Sequence, residues 1–390
     1  MLPTPYQIVQ QYGALDHHRT GTESDQQTLR WYEALMQELG SVERVPFSFP
    51  RYDAQCKVMV SNQVVSSLPL YYQSLGQEKH DLFEETNVAV KTVEIEDDEK
   101  RVWEKIEKHV VQARESGSRA LVLGTRCTTD SLYGINVSPE KQLSMPVLLV
   151  PGDIDLVSTS NVIKVDYSAR LVSGTSFNLL GRFGDKNDSD PLVITTPISG
   201  WFGCAGERGT GLALALLLAE RISTNTSVEL VVTSGHELGY LGGFHHVNQM
   251  KSAPRGVLHI GSCVGAASNA ERNALTTNMQ VTTNIAERNI ETGEGRVSAI
   301  DKMQELFHEI DLDITRPLNA KDRTGWVGES ECWAHFDCPM LSIAGANDLF
   351  HTPEDCPNSA TSPALLEKMF SVLWPVAELF VDEVRKSTQH

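Results

Sequence analysis

Five short stretches hold the side chains able to do chemistry, and each lies at a strand end or a turn. In VELVVTSGHELGYLGG, residues 228–243, the apolar run Val228, Leu230, Val231 and Val232 stops at Ser234-Gly235, and His236 and Glu237 follow at once. An imidazole next to a carboxylate can move a proton, orient a water or ligate a divalent ion. The plainer reading makes the pair the first turn of a surface helix, where the helix dipole favours Glu237. TTPISGWFGCAGERGTG, residues 195–211, is a glycine-rich turn from strand into helix whose amides could hold an anion, although it matches neither phosphate-loop pattern. Cys204 stands just ahead of that helix, a place that can acidify a thiol, while a buried, inert cysteine is the commoner outcome.

The other three stretches follow the same design. His259 closes the run GVLHI just before Gly261-Ser262-Cys263, where a satisfied core histidine is the plain alternative. GWVGESE, residues 325–331, sets Glu329 and Glu331 behind a turn containing Trp326, although acids that open a helix are often only dipole partners. AGANDLFHTPEDCP, residues 344–357, puts His351 and Asp355 in a turn-forming segment after an apolar strand. His245-His246 reads as surface, and His17, His18 and Arg19 read as structural.

Side chains at strand tips converge when the strands share a sheet, and in open α/β sheets ligands bind at the C-terminal tips. The chain has the alternation that such a sheet requires. Leu29, Tyr32, Leu35, Met36 and Leu39 mark an amphipathic helix, with Ser24 or Asp25 as its cap and Gly40 as its terminal glycine. From residue 162 strands are expected near 162–171 and 176–182, then PLVITT, a helix over 209–222, the strand before His236, a helix to about Met250, and GVLHI. A helix over 297–310, a short helix around Glu331, the strand PMLSIAG and a long last helix opened by Ser362-Pro363 complete it. The expectation is an α/β fold, a mixed central sheet covered by helices on both faces. Residues 54–161 differ in texture, with short strands (CKVMV, ALVLG, PVLLVP) and one charged helix bearing Trp103, Ile106 and Val110. They read as a β-rich domain inserted into a main domain of residues 1–53 and 162–390.

Bulk composition narrows the partners. The 390 residues carry a formal charge of −18 without a long block of either sign, which disfavours nucleic acid and anionic membranes. The start has no signal-peptide pattern and no apolar run approaches membrane-spanning length, so a cytoplasmic location is expected. Seven cysteines, scattered and without zinc-ribbon spacing, are expected to be reduced. No motif for an organic cofactor is present, and the partner expected is a small molecule or short peptide, with a homodimer compatible.

HRTGTESDQQTLRWYEALMQELG near the start, PLYYQSLG and MPVLLVPG in the insert, and SARLVSGTSFNLLGR after it form an ordered series. ISGWFGCAGERGTGLALALLLAERI, VELVVTSGHELGYLG and NDLFHTPEDCP continue it. In order and spacing this series resembles the zinc-dependent aminopeptidase family typified by bacterial leucyl aminopeptidase, with glutamate carboxypeptidase and the transferrin receptor ectodomain as larger relatives. The resemblance covers nearly the whole chain and implies that the insert is a protease-associated domain. Active members of the family bind two zinc ions through a His-X-Asp motif, a bridging Asp, a Glu, a second Asp and a late His, with a Glu as general base. His351 matches the late His and Glu237 the ligand Glu, whereas the base position holds His236. The His-X-Asp motif falls on Thr196-Pro197-Ile198, the bridging Asp on Gly206-Glu207-Arg208, where Glu207 alone could substitute, and the second Asp near Gly261. A site so reduced would hold at most one zinc or other divalent ion, through Glu237, His351 and His259 or His236.

Three functions follow. The first is a diverged hydrolase of a small amide, peptide or ester, with His236 as base or ligand, Glu237 and His351 as ligands or an acid/base pair, and Glu329 orienting water or substrate. Trp201, Cys204, Glu207 and Trp326 are its candidate substrate contacts. The second is a catalytically inactive relative serving as a binding or scaffold protein. The third is a metal-free acid/base or thiol enzyme, the latter using Cys204 or Cys263 with His236.

Overall fold

Val228, Leu230, Val231 and Val232 are all buried, on the strand Val228–Thr233, which runs parallel to Leu192–Pro197 and antiparallel to Ile163–Phe183. The computed structural model describes all of the chain except residues 1, 16, 71–79, 86, 97–98, 138–142, 155–161, 186–189, 269–272, 286–288, 293–294, 318–323 and 388–390. The motif PLYYQSLG therefore lies mostly outside the described residues. The main sheet runs in the order Ile314–Thr315, Met279–Thr283, Met340–Gly345, Val257–Ile260, Leu192–Pro197, Val228–Thr233, Ile163–Phe183, Ser41–Val60, Gln63–Val65, with His80–Glu85 also paired to Ile163–Phe183. Its four middle strands, from Met340–Gly345 to Val228–Thr233, are mutually parallel and almost wholly buried. Burial on both faces explains why they read as continuous apolar runs rather than as alternation.

The order of these strands creates the crevice. After Leu192–Pro197 the chain adds Val228–Thr233 on one side, then crosses to add Val257–Ile260 on the other. The connections leave in opposite directions at that point, so the tips of these neighbouring strands flank an opening, as in other doubly wound sheets. Helix Thr210–Ile222, apolar nearly all round, packs in the main core with Pro5–Gly13, Glu23–Gln37 and the last helix, Pro363–Ser387. Among the described residues no helix is long and apolar enough to cross a membrane.

Several local expectations change. The two strands expected over 162–182 are one, Ile163–Phe183, paired along its length with the equally long Ser41–Val60. Pro46 and Pro50 do not break Ser41–Val60, because over most of its length it has a ladder partner on one side only, where a missing N–H costs little. Thr22, not Ser24 or Asp25, caps helix Glu23–Gln37 by accepting from Asp25 N at 3.1 Å. Gly40 is not a left-handed terminal glycine; a Cβ there would lie 2.7 Å from Arg182 O.

Between the two long strands, four further strands form a second sheet in the order Leu68–Pro69, Val147–Pro151, Ala120–Arg126, Val88–Glu94. Helix Glu99–Glu115 packs on it through buried Val102, Trp103, Ile106, Val110 and Ala113. This sheet has its own apolar cluster, which Trp201 and Leu238 of the main sheet's turns join.

Candidate functional site

The turn after Leu192–Pro197 supplies the centre of the site. Cys204 adopts a left-handed conformation (φ 49°), and a single π-helical turn, Ala205–Gly209, leads into helix Thr210–Ile222. The Asp355 carboxylate accepts from Gly206 N (2.7 Å) and Glu207 N (3.0 Å), filling the role of a cap at this positive helix end. The wider turn directs Glu207 and Arg208 inward, and neither side chain is exposed at all. Arg208 Nε donates to Ser199 O at 3.0 Å. Its Nη2 forms an ion pair with Glu207 Oε1 at 2.5 Å, and Nη1 has no acceptor. Glu207 Oε1 is also 3.2 Å from His351 Nε2, and Oε2 accepts from the Cys204 thiol at 3.1 Å.

The turn after Val228–Thr233 faces this group. Gly235, at φ 86°, makes a bend that L side chains rarely adopt, and its N–H donates to Thr20 Oγ1 and Ser199 Oγ, both at 2.8 Å. Ser199 Oγ also accepts from His236 N at 3.0 Å. So held, His236 Nδ1 lies 3.2 Å from Glu329 Oε1, while the Thr233 hydroxyl donates to the other Glu329 oxygen. Glu237 Oε1 accepts from Thr20 N at 2.6 Å, and its buried Oε2 has no partner. His259 Nδ1 is 2.8 Å from Ser342 Oγ on the adjacent strand, and its buried Nε2 has no partner either. His351, itself left-handed (φ 59°), stacks on Phe350.

Burial and one fixed cation set the electrostatics. Burial pushes Glu207 upward, but the Arg208 guanidinium, followed by His351, outweighs it and holds the carboxyl well below the usual range. Burial opposes the charge of Arg208 in turn, and Glu207 together with Cys204, Tyr12 and Glu329 more than restores it. Burial and then the charge of Arg208 lower His236 far below an ordinary imidazole and bring His259 down to about 3, so both are neutral at neutral pH. Glu329 is pushed up to about 7 by burial, against the Thr233 hydrogen bond and the pull of Arg208. Asp355 likewise rises to about 7 through burial, despite its two amide donors. Cys204 is a buried cysteine, the commoner of the two outcomes, and burial and then Glu207 push its pKa well up.

The structure thus gathers His236, Glu237, His259, Glu329, His351, Glu207 and Cys204 around one crevice. It does not gather the two tryptophans. Trp201 packs with the second sheet's cluster and donates to Asn136 Oδ1 at 2.9 Å, and Trp326 belongs to an apolar cluster with Val247, Trp333 and Met340. Arg208, Ser199, Thr20 and Ser342 are the participants that sequence reading passed over. Among the described residues, the group of three His, Cys, Asp or Glu ligand atoms lying within 4.8 Å of one another is Cys204, Glu207 and Asp355, not Glu237, His259 and His351.

No family model and no curated protein matches this chain. Among solved structures it is similar to a peptidase M28 precursor from Shewanella amazonensis, with TM-score 0.70 and 15% identity over 96% of this chain and 92% of that one. It is similar to BSAP, a zinc aminopeptidase from Bacillus subtilis, with TM-score 0.67 and 14% identity over 97% and 95% of the two chains. An aminopeptidase from Aneurinibacillus sp. strain AM-1 gives TM-score 0.56 and 12% identity over 96% and 92%. At these identities the likeness is one of architecture, and the architecture of this chain is that of the zinc aminopeptidases.

Proposed function

We propose that this chain hydrolyses a small amide, peptide or ester without a catalytic metal, using the Arg208 guanidinium as the fixed positive charge of the site. The observation that carries this reading is Arg208 itself, wholly buried among Glu207, Glu329, His236 and His259, with Nη2 paired to Glu207 and Nη1 without an acceptor. The donors do not fit a zinc ion. Both Asp355 oxygens accept from amides, the Cys204 thiol donates to Glu207, and Glu207 already faces Arg208 and His351. A zinc ligand set needs about three deprotonated groups free to turn toward one point, and a guanidinium in their midst repels the ion.

In this reading the substrate carbonyl oxygen rests on Arg208, whose Nη1 N–H groups hold the charge that develops there in a site away from water. His236 is neutral, and with Nδ1 turned to Glu329 it offers Nε2 to a water. Attack of the water oxygen on the carbonyl carbon passes a proton to Nε2, and the tetrahedral oxyanion stays on Arg208. Collapse breaks the bond to the leaving nitrogen or oxygen, which takes the proton back from the imidazolium. Glu329, poised near 7, stabilises that imidazolium as it ionises. Glu237 Oε2 and His259 Nε2 are left to receive polar groups of the substrate. The names of the aminopeptidase neighbours support an amide or short peptide as the substrate. In the same reading residues 54–161 are a protease-associated-like domain inserted between residues 1–53 and 162–390, and they cap the site.

The test is hydrolysis of short acyl anilides and p-nitrophenyl esters by protein stripped with chelator. Activity that survives stripping and falls at least a hundredfold in Glu329→Gln supports the reading. Activity that requires added zinc, or a stripped protein inert to the whole panel, overturns it.

A further inference from the structure

We propose that a groove at the far end of the strand Val228–Thr233 from the crevice binds a small organic cation, a guanidinium or primary ammonium on a short alkyl chain, with Glu229 as its anchor. The site does not depend on the hydrolase reading. Its signal in the sequence is a carboxylate inside an apolar strand: in VELVVT, Glu229 interrupts the run Val228, Leu230, Val231 and Val232, yet it is only 7% exposed. A buried acid calls for a positive partner. The strand register shows what surrounds it. Glu229 stands between Arg182 of Ile163–Phe183 and Val193 of Leu192–Pro197, and two residues further on Val231, Leu180 and Glu43 form the next row of the same sheet face. Thr233, which serves the crevice, lies on that face too, four residues and about 13 Å along the strand.

Over these rows opens a groove of about 340 Å³, a size that suits a small ligand. Its floor is the sheet, and its other wall is the end of helix Leu241–Gln249 with the turn through Pro254. His246, half of the pair that read as surface, is buried in this wall beside the Trp333 ring. Burial lowers its pKa in spite of Glu229, so it adds no opposing charge at neutral pH. Three carboxylates, Glu43, Asp190 and Glu229, then line the groove against two cations, Arg182 and Lys251, and of the three acids Glu229 alone is buried. Arg182 displays how a ligand cation would be received. Its Nε donates to Glu229 Oε2 at 2.7 Å, while its side chain is 72% exposed. A pair with one member so exposed contributes little, and a ligand that also covers apolar surface can take the place of Arg182. Val45, Leu180 and Met250 offer that surface to an alkyl chain.

The test titrates butylguanidine, methylguanidine, butylamine and butyrate calorimetrically into the full chain. The butyl cations are expected to bind, butylguanidine about tenfold more tightly than methylguanidine because three methylenes leave water in part, and butyrate not to bind. Glu229→Gln should weaken butylguanidine at least tenfold. Arg182→Ala changes an exposed side chain and removes the internal competitor, so it should tighten butylguanidine at least threefold. N-acetylarginine methylamide separates two sources of the cation: tighter binding than butylguanidine assigns the groove to an arginine side chain of a peptide, weaker binding to a free amine or guanidine. Affinity unchanged in Glu229→Gln, butyrate bound as tightly as the cations, or no cation bound by either wild type or Arg182→Ala overturns the site. Should Glu229→Gln fail to fold, butylguanidine affinity that does not rise in Arg182→Ala overturns it.

Discussion

Removing the guanidinium of Arg208 should destabilise the protein severely, and the size and pH dependence of the loss test whether this residue is the resident cation. In Arg208→Met, Glu207 would keep its contacts with His351 and the Cys204 thiol, but a fully buried carboxylate would lose its permanently charged partner. Breaking one side of a buried pair costs about 3–5 kcal/mol, largely because the other charge stays behind. The sign with pH follows from Glu207. In wild type its pKa is depressed, so its contribution is present above the unfolded value and is lost only in acid. Without Arg208, burial dominates and lifts the carboxyl above its unfolded value. The variant should then be least impaired at low pH and lose further stability as pH rises through the new, higher pKa. Urea unfolding of wild type, Arg208→Met and the double variant Glu207→Gln/Arg208→Met at pH 4.5 and 7.5 measures all of this. The double variant should recover most of the loss, since replacing both members of a buried pair is often close to neutral. A deficit below about 1 kcal/mol in Arg208→Met, or a double variant as damaged as the single one, would refute the assignment.

Glu329 provides an independent test. Its carboxyl, raised to about 7 by burial, favours the neutral form in the fold, so its stabilisation is complete below the unfolded pKa and is lost as pH rises through about 7. Glu329→Gln should therefore lessen the fall in unfolding free energy between pH 5 and 8 by about 2–3 kcal/mol, and an unchanged pH profile would contradict it. Ser199→Ala removes the acceptor shared by the Gly235 and His236 amides, of which Gly235 retains Thr20. One buried N–H is left unsatisfied, so a loss of about 1–3 kcal/mol is expected in urea unfolding, with hydrolysis reduced because the His236 turn is less well held.

The residues at the strand tips were legible because apolar runs that stop abruptly at polar turns announce a buried parallel sheet. His236, Glu237, His259 and His351 follow from that pattern, with the family resemblance adding matches for Glu237 and His351, whereas Glu329 stands behind a Gly-Trp turn on the short helical segment Gly328–Trp333. The role of Arg208 depends on a single π-helical turn that no composition rule reports, yet a signal was present. The helix it opens, TGLALALLLAERI, is apolar nearly all round, so an arginine at its start has no solvent face to turn to. Thr20 carries no such mark, since it reaches Glu237 through a backbone N–H across 217 positions of sequence. The long strands Ser41–Val60 and Ile163–Phe183 were read in pieces because Pro46, Pro50 and the Ser173-Gly174 pair resemble breaks; each is tolerated where pairing with the other strand continues past it. Trp201 and Trp326 lay beside promising turns, but a large ring next to a turn is as readily used for packing, and that is where both are found. On the proposed reading the departures from the zinc-ligand pattern at Thr196 and Gly206 would also have a reason, because Arg208 would supply the positive charge of the crevice.

Metal content tests that claim most directly. Protein purified without a histidine tag would be equilibrated with excess zinc, dialysed against metal-free buffer and measured by elemental analysis beside Arg208→Met and Glu207→Gln. The account predicts essentially no zinc retained by wild type. Retention of about one or two zinc ions per chain by wild type, lost in Glu207→Gln, would contradict it and restore a metal centre to this site.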